Sequence, residues 1–296
     1  MLHRSSPGRL AAACAVLLAV LAPVVTSAAT PTIGIVAAEN FYGSVAEQVG
    51  GNRVAVTSIL SDPSVDPHEY ESIVDDAKAI ARAALVIENG GGYDDWMDKL
   101  LSASPSAKRI VLRGFDLAGT KLPDNEHVWY DVDNVHAVAL AVSDSLKKLD
   151  PGSASLYTKN LQAFVDSLAR VRQKIAALRS RWNGTPVGLT ETIFLYQANP
   201  IGLSVLTPFE FQKAIAEGND PPADTVVTAE NQVKGKKIRV LIYNEQTISS
   251  ITTRLQDDAK AAGIPVVPVT ETMPSVVSYQ DWMLSQLAAL ERALGS

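Results

Sequence analysis

The sequence predicts an α/β protein with two lobes, each a parallel sheet flanked by helices, joined by one long linking helix. Three observations predict this fold: strand-like and helical segments alternate in the first half of the 296 residues, they alternate again in the second half, and an uninterrupted amphipathic segment separates the halves. Strand–helix alternation is typical of parallel sheets covered on both faces. We expect an N-terminal lobe over residues 31–149, the linking helix over 151–182 and a C-terminal lobe over 183–296.

Residues 1–28 are predicted to be a secretory signal peptide. Two arginines precede an apolar run over residues 10–25, and the small residues that follow suit a signal peptidase. A membrane anchor is the alternative, but the run is short for a span of about 20 residues. Cys14, the single cysteine, lies near the start of the run, which argues against a lipid anchor at its end. We therefore expect a soluble, exported protein without thiol chemistry.

The N-terminal lobe is predicted from short apolar runs separated by helical segments. The predicted strands cover residues 32–37, 54–60, 85–88 and 109–112. The predicted helices cover residues 40–49, 72–83, 94–102 and 135–149. Three glycines at residues 90–92 follow the third strand and predict a turn, but this signal is too short to indicate a nucleotide site.

The linking helix is predicted from an apolar stripe. Pro151 suits the first turn of a helix, and apolar residues recur every three or four positions from residue 161 to residue 182. Asn183 and Gly184 end the pattern. A coiled coil is the alternative, but a single stripe within an α/β sequence favours packing on a neighbouring sheet or domain.

The C-terminal lobe repeats the alternation. The predicted strands cover residues 186–190, 203–206, 237–243 and 264–269, and the predicted helices cover residues 208–216, 249–262 and 279–294. Residues 218–222 predict a surface turn.

The composition excludes some classes of partner. The formal charge is −6 and no basic tract is present, so we expect no nucleic-acid ligand, because phosphate binding needs clustered lysine and arginine. An acidic chain instead tends to attract cations.

Four candidate metal ligands lie just beyond predicted strands, where open parallel sheets bind their ligands. His68 and His127 follow strands of the first lobe, and Glu191 and Glu271 follow strands of the second. Imidazole and carboxylate together suit a divalent first-row metal. Taken singly, each has another interpretation as a helix cap, a turn cap or a buried structural imidazole. His136 falls inside a predicted helix, where we expect a structural or surface role.

An enzyme is the main functional alternative. Glu69, Glu71, Asp131 and Asp133 lie near the histidines and could act as general bases on a metal-bound water, as in a secreted metal-dependent hydrolase. No helical zinc-protease motif, nucleophile elbow or phosphate loop is present. A surface adhesin or pure interaction protein is a third possibility, for which removing metal would change nothing.

Four segments, in order, resemble the metal-specific solute-binding proteins of ABC importers, the ZnuA-like or cluster A-I group. Residues 66–71 read Asp-Pro-His-Glu-Tyr-Glu and resemble the first metal motif of that family. Residues 127–131 resemble the second motif, a histidine followed by aromatics and an aspartate. Residues 190–196 and 269–272 resemble the third and fourth. The resemblance covers the whole mature chain, including the linking helix.

The resemblance implies one divalent ion, Zn²⁺ or Mn²⁺, held between the lobes by His68, His127, Glu191 and Glu271 as transported ligand. It also implies delivery to an ABC permease, limited closure about a stiff helix, and a periplasmic or extracytoplasmic monomer that is not an enzyme. Many zinc-type members have histidine where Glu191 stands, and aspartate is usual where Glu271 stands. Residues 114–125 also lack the histidine-rich loop of zinc-specific members. Two glutamates favour Mn²⁺ more than a histidine-rich set would, although Zn²⁺ has the higher raw affinity at most such sites.

Overall fold

Two four-stranded parallel sheets, one in each half of the chain, confirm the predicted fold class. The computed structural model describes residues 1–3, 32–65, 67 and 70–296. The predicted signal peptide therefore lies almost entirely outside the described residues, as do Asp66, His68 and Glu69. No helix in the described ranges combines the length and apolar character needed to cross a membrane.

The first sheet has the strand order β2-β1-β3-β4. Its strands are β1 (Ile33–Glu39), β2 (Val54–Leu60), β3 (Leu85–Glu88) and β4 (Ile110–Arg113). Its helices are α1 (Asn40–Gly50), α2 (Val74–Arg82), α3 (Asp95–Ala103), α4 (Gly114–Leu117) and α5 (Val132–Leu149). Every residue of the central strand β3 is buried, as expected for a parallel strand covered on both faces.

The second sheet has the order β6-β5-β7-β8, which repeats the topology of the first. Its strands are β5 (Pro186–Leu189), β6 (Ser204–Val205), β7 (Leu241–Asn244) and β8 (Val266–Val269). Its helices are α7 (Leu195–Ile201), α8 (Phe209–Ala216), α9 (Ala223–Lys234), α10 (Ser250–Ala261) and α11 (Tyr279–Gly295). In both sheets the first strand lies between the second and the third, so the order of the strands reverses direction beside the first strand. Open parallel sheets bind ligands at such switch points.

The long helix α6 (Ala154–Trp182) joins the sheets and contacts helices of both halves. Its 29 residues correspond to roughly 45 Å. Its buried stripe includes Phe164, Leu168 and Val171. These side chains belong to one hydrophobic cluster that contains residues of β1 and β3 as well as β5, β7 and β8. The apolar core is therefore continuous from one sheet to the other.

Two helices of the second half were not predicted from the sequence. Helix α9 follows Pro221-Pro222 and ends at Gly235, which are ordinary helix boundary signals. Helix α7 contains Pro200 in its last turn, and an internal proline argues against a helix in sequence. The predicted strand over residues 237–243 also began too early: β7 begins at Leu241, and Lys236 and Lys237 still donate their backbone N–H groups to carbonyls of α9.

Candidate metal centre

Three of the four predicted ligands converge in the structure. His127, Glu191 and Glu271 each offer a ligand atom, and these atoms lie within 4.8 Å of one another. Their side chains are buried, with exposed fractions of 0%, 2% and 0%. The fourth predicted ligand, His68, lies outside the described residues. One histidine from the first half of the chain thus meets two carboxylates from the second half.

The imidazole of His127 is oriented by its neighbour Asn125. The His127 Nδ1 atom lies 3.0 Å from Asn125 Oδ1, which also accepts the His127 backbone N–H at 3.1 Å. The amide group of Asn125 in turn donates to the Thr192 carbonyl at 2.8 Å. Because Asn125 Oδ1 is an acceptor, Nδ1 carries the ring proton, and Nε2 offers its lone pair for coordination. That Nε2 atom lies 3.9 Å from Glu191 Oε2.

Glu191 follows β5, and its buried carboxylate accepts few hydrogen bonds from the described residues. Its Oε2 accepts the Ile193 backbone N–H at 3.1 Å, and its Oε1 has no hydrogen-bond donor among the described residues. Burial raises the pKa of Glu191 well above its usual value, and the negative charge of Glu271 raises the pKa further. Within the described ranges, no lysine or arginine pairs with Glu191. A buried charge without a partner is costly, so this position favours a cation.

The carboxylate of Glu271 follows β8 and receives hydrogen bonds on both oxygens. Asn244, the last residue of β7, donates to Oε1 at 2.5 Å, and the Tyr93 hydroxyl donates to Oε2 at 2.8 Å. The Glu271 backbone N–H donates to Gln246 Oε1 at 2.7 Å, and the Gln246 amide donates to the Val65 carbonyl at 2.7 Å. These supporting residues were not predicted from the sequence. The available signals were the position of Asn244 at a strand end and of Tyr93 after the glycine triplet.

Aromatic side chains enclose one side of the site. The rings of Trp129 and Phe41 stack with centroids 4.5 Å apart. The Trp129 ring also contacts Tyr93 at 4.6 Å and His127 at 5.2 Å between centroids. Burial among aromatic rings excludes water and strengthens electrostatic interactions within the site.

Among the described residues, the other acidic candidates and His136 lie outside the ligand group. The Asp131 side chain caps α5 by accepting the Asp133 backbone N–H at 2.8 Å. The exposed Asp133 pairs with Arg172 at 2.6 Å, and Glu71 is exposed. His136 lies partly exposed on α5, outside the group that converges.

A family model for ZnuA, the periplasmic component A of a zinc-uptake complex, matches residues 35–293. The chain belongs to the ZnuA family. This ZnuA-family protein is 29% identical over 144 residues to a protein of Halalkalibacterium halodurans named manganese-binding lipoprotein MntA, covering 48% of each chain. The chain thus spans about half the length of this curated relative.

Solved structures share the fold of this ZnuA-family protein. The periplasmic zinc-binding protein TroA from Treponema pallidum superposes with a TM-score of 0.73 at 19% identity, covering 89% of this chain and 99% of TroA. The protein FpvC from Pseudomonas aeruginosa, solved in complex with Mn²⁺, also gives a TM-score of 0.73, at 20% identity, covering 89% of this chain and 98% of FpvC. The two-lobed architecture with a long connecting helix is therefore that of known metal-binding proteins.

Proposed function

We propose that this protein is an exported receptor that captures one divalent transition-metal ion between its lobes and delivers it to the permease of an ABC importer. The observation that carries the proposal is the buried group of His127, Glu191 and Glu271, in which two carboxylates share a small volume. Together with His68, these residues supply two imidazoles and two carboxylates. A +2 ion neutralises the two negative ligands, so the pair becomes tolerable in a buried site.

The ligand set suits Zn²⁺ or Mn²⁺. Zinc binds imidazole and carboxylate in closed four-ligand sites, and oxygen ligands are also suitable for manganese. The relatives span both metals, since MntA is named for manganese and TroA for zinc. We therefore propose Zn²⁺ or Mn²⁺ as the transported ion, bound once per chain.

The location and partner follow from the family and the predicted signal peptide. The family description is periplasmic, and MntA is named a lipoprotein. We propose that the mature monomer works outside the cytoplasmic membrane and acts by binding and release. A metal-dependent hydrolase has no support from the comparisons, and two of its candidate bases, Asp131 and Asp133, are engaged in a helix cap and an ion pair.

Metal titration of the mature protein tests the proposal. We expect one Zn²⁺ or Mn²⁺ per chain by calorimetry and elemental analysis, with stabilisation of about 2.7 kcal/mol when free metal reaches 100 times its Kd. The variant His127→Ala should lose most of this affinity. The matched control His136→Ala should bind normally, because His136 lies on α5 away from the ligand group. Several equally tight ions, or no thermal shift with either metal, would contradict the proposal.

A further inference from the structure

The three glycines between β3 and α3 form a turn that other residues could not adopt without strain. Gly90, Gly91 and Gly92 have φ values of 71°, 69° and 93°, all in the left-handed region. A Cβ on Gly91 would also lie 2.7 Å from the Phe115 ring. The turn therefore fixes the backbone conformation of the residues that directly precede Tyr93.

The turn is closed by the residue that follows Tyr93. The buried carboxylate of Asp94 accepts the backbone N–H of Asn89 and of Gly90, both at 2.6 Å. The Asn89 side chain is fixed in turn, because it accepts the Tyr42 hydroxyl at 2.8 Å and donates to the Glu126 carbonyl at 2.9 Å. Tyr93 is thus carried by a rigid loop of the first half of the chain.

The hydroxyl of Tyr93 reaches across to the second half of the chain. It donates to Glu271 Oε2 at 2.8 Å, while the rings of Tyr93 and His127 form a T-shaped pair with centroids 5.9 Å apart. The other Glu271 oxygen is held by Asn244 from its own sheet. One proposed ligand is therefore oriented by one donor from each lobe.

We propose that Tyr93 is a positioning residue that links the geometry of the ligand Glu271 to the approach of the two lobes. This inference rests on the proposed function. When the lobes are together, the Tyr93 hydroxyl and the Asn244 amide both hold the carboxylate in place. When the lobes separate, the hydrogen bond from Tyr93 is lost. The hydroxyl therefore slows metal release until the lobes open.

The variants Tyr93→Phe and Tyr279→Phe form a matched pair for the test. Both tyrosines are buried, and the Tyr279 hydroxyl also donates across the lobes, to the Trp129 carbonyl at 2.7 Å, without touching a proposed ligand. Dissociation of Zn²⁺ and of Mn²⁺ is measured by stopped-flow mixing with a chelator. We expect Tyr93→Phe to raise the dissociation rate roughly 10- to 100-fold, the usual effect of losing an outer partner of a metal ligand, with association unchanged. Tyr279→Phe should raise the dissociation rate much less, because its hydroxyl joins the lobes without touching Glu271.

A double-mutant cycle shows whether Tyr93 acts through Glu271. In a Glu271→Gln background, where metal binding is already weak, Tyr93→Phe should add less than about a twofold further loss of affinity. Equal losses in both backgrounds, or equal rate changes for the two tyrosine variants, would overturn the inference while leaving the proposed function intact. A wild-type protein that binds neither metal would overturn both. Circular dichroism of each metal-free variant confirms folding, and Asn244→Ala tests the second donor to Glu271 if Tyr93→Phe fails to fold.

Discussion

At the scale of single residues, the site places two carboxylates close together in a buried volume. Glu191 and Glu271 lie in the same buried group, and the negative charge of Glu271 disfavours ionisation of Glu191. Burial and this repulsion raise the pKa of Glu191, so the metal-free protein tends to hold a proton there. We expect a divalent ion to replace the proton and to neutralise both carboxylates. Metal binding should therefore release protons, and affinity should fall as the solution becomes more acidic.

The variant Glu191→Gln tests whether the buried charge of Glu191 destabilises the metal-free protein. A raised pKa in the folded state means that the folded protein holds the proton more tightly than the unfolded chain. The metal-free protein should then lose stability as pH rises above the usual glutamate range. Glu191→Gln should remove that loss, raising the metal-free Tm at pH 8 more than at pH 5, and should weaken metal binding roughly 100-fold or more.

Thermal melts at both pH values and metal titrations measure these effects. The control is Glu210→Gln on the exposed surface of α8, which should change neither Tm nor affinity. A metal-free Tm at pH 8 that falls in Glu191→Gln would show that the carboxylate is stabilising rather than strained.

At the scale of elements, loops position the side chains of the site. Glu191 and Glu271 lie just beyond the ends of β5 and β8, whereas His127 lies in the loop that follows α4. The glycine turn after β3 is a further constrained loop, because three consecutive residues have positive φ. Its conformation determines where Tyr93 lies.

Substitutions in this turn separate backbone strain from steric overlap. Gly92→Ala places a Cβ with no atom within 4 Å, so only the left-handed conformation is penalised, by about 1–2 kcal/mol. Gly91→Ala adds an overlap with Phe115, which should cost about 1–3 kcal/mol more and displace Tyr93. Urea unfolding and metal titration should therefore show that Gly91→Ala is the less stable and the weaker binder. Equal effects of the two substitutions would mean that Phe115 moves aside freely.

At the scale of the whole molecule, the lobes are not independent bodies. One hydrophobic cluster extends from β1 and β3 through α6 to β5, β7 and β8. Direct hydrogen bonds also join the halves, including Tyr130 to the Thr270 carbonyl at 2.6 Å and Tyr279 to the Trp129 carbonyl at 2.7 Å. A stiff helix and a shared core limit how far the lobes can separate without exposing apolar surface.

The shared core predicts cooperative unfolding of the metal-free protein. Leu168 on α6 is buried within the cluster, so Leu168→Ala should destabilise the whole protein by about 2–5 kcal/mol and leave a single transition. The control Leu140→Ala, on the exposed face of α5, should cost far less. Urea unfolding followed by circular dichroism and tryptophan fluorescence measures this, and two separated transitions would show that the lobes unfold independently.

The fold class could be predicted from sequence alone, because strand–helix alternation and helical periodicity are local patterns that a chain carries along its length. The linking helix was predicted over residues 151–182 and forms α6 over Ala154–Trp182, after a short 3₁₀ turn. Strand ends also marked His127, Glu191 and Glu271, since parallel strands place their carboxyl ends at one edge. The role of these three residues and of His68 as metal ligands remains a prediction. Helix α9 had proline and glycine boundary signals that could have been used.

The contacts that hold the proposed ligands depend on the tertiary structure. Tyr93 and Glu271 are 178 positions apart, and Asn244 and Glu271 are 27 apart, yet all three meet within hydrogen-bond distance. A hydrogen bond requires donor and acceptor within about 3 Å, and that distance depends on how both sheets pack against α6 and against each other. No local pattern of residues carries this information, because the positions are set by long-range packing of side chains from both halves of the chain.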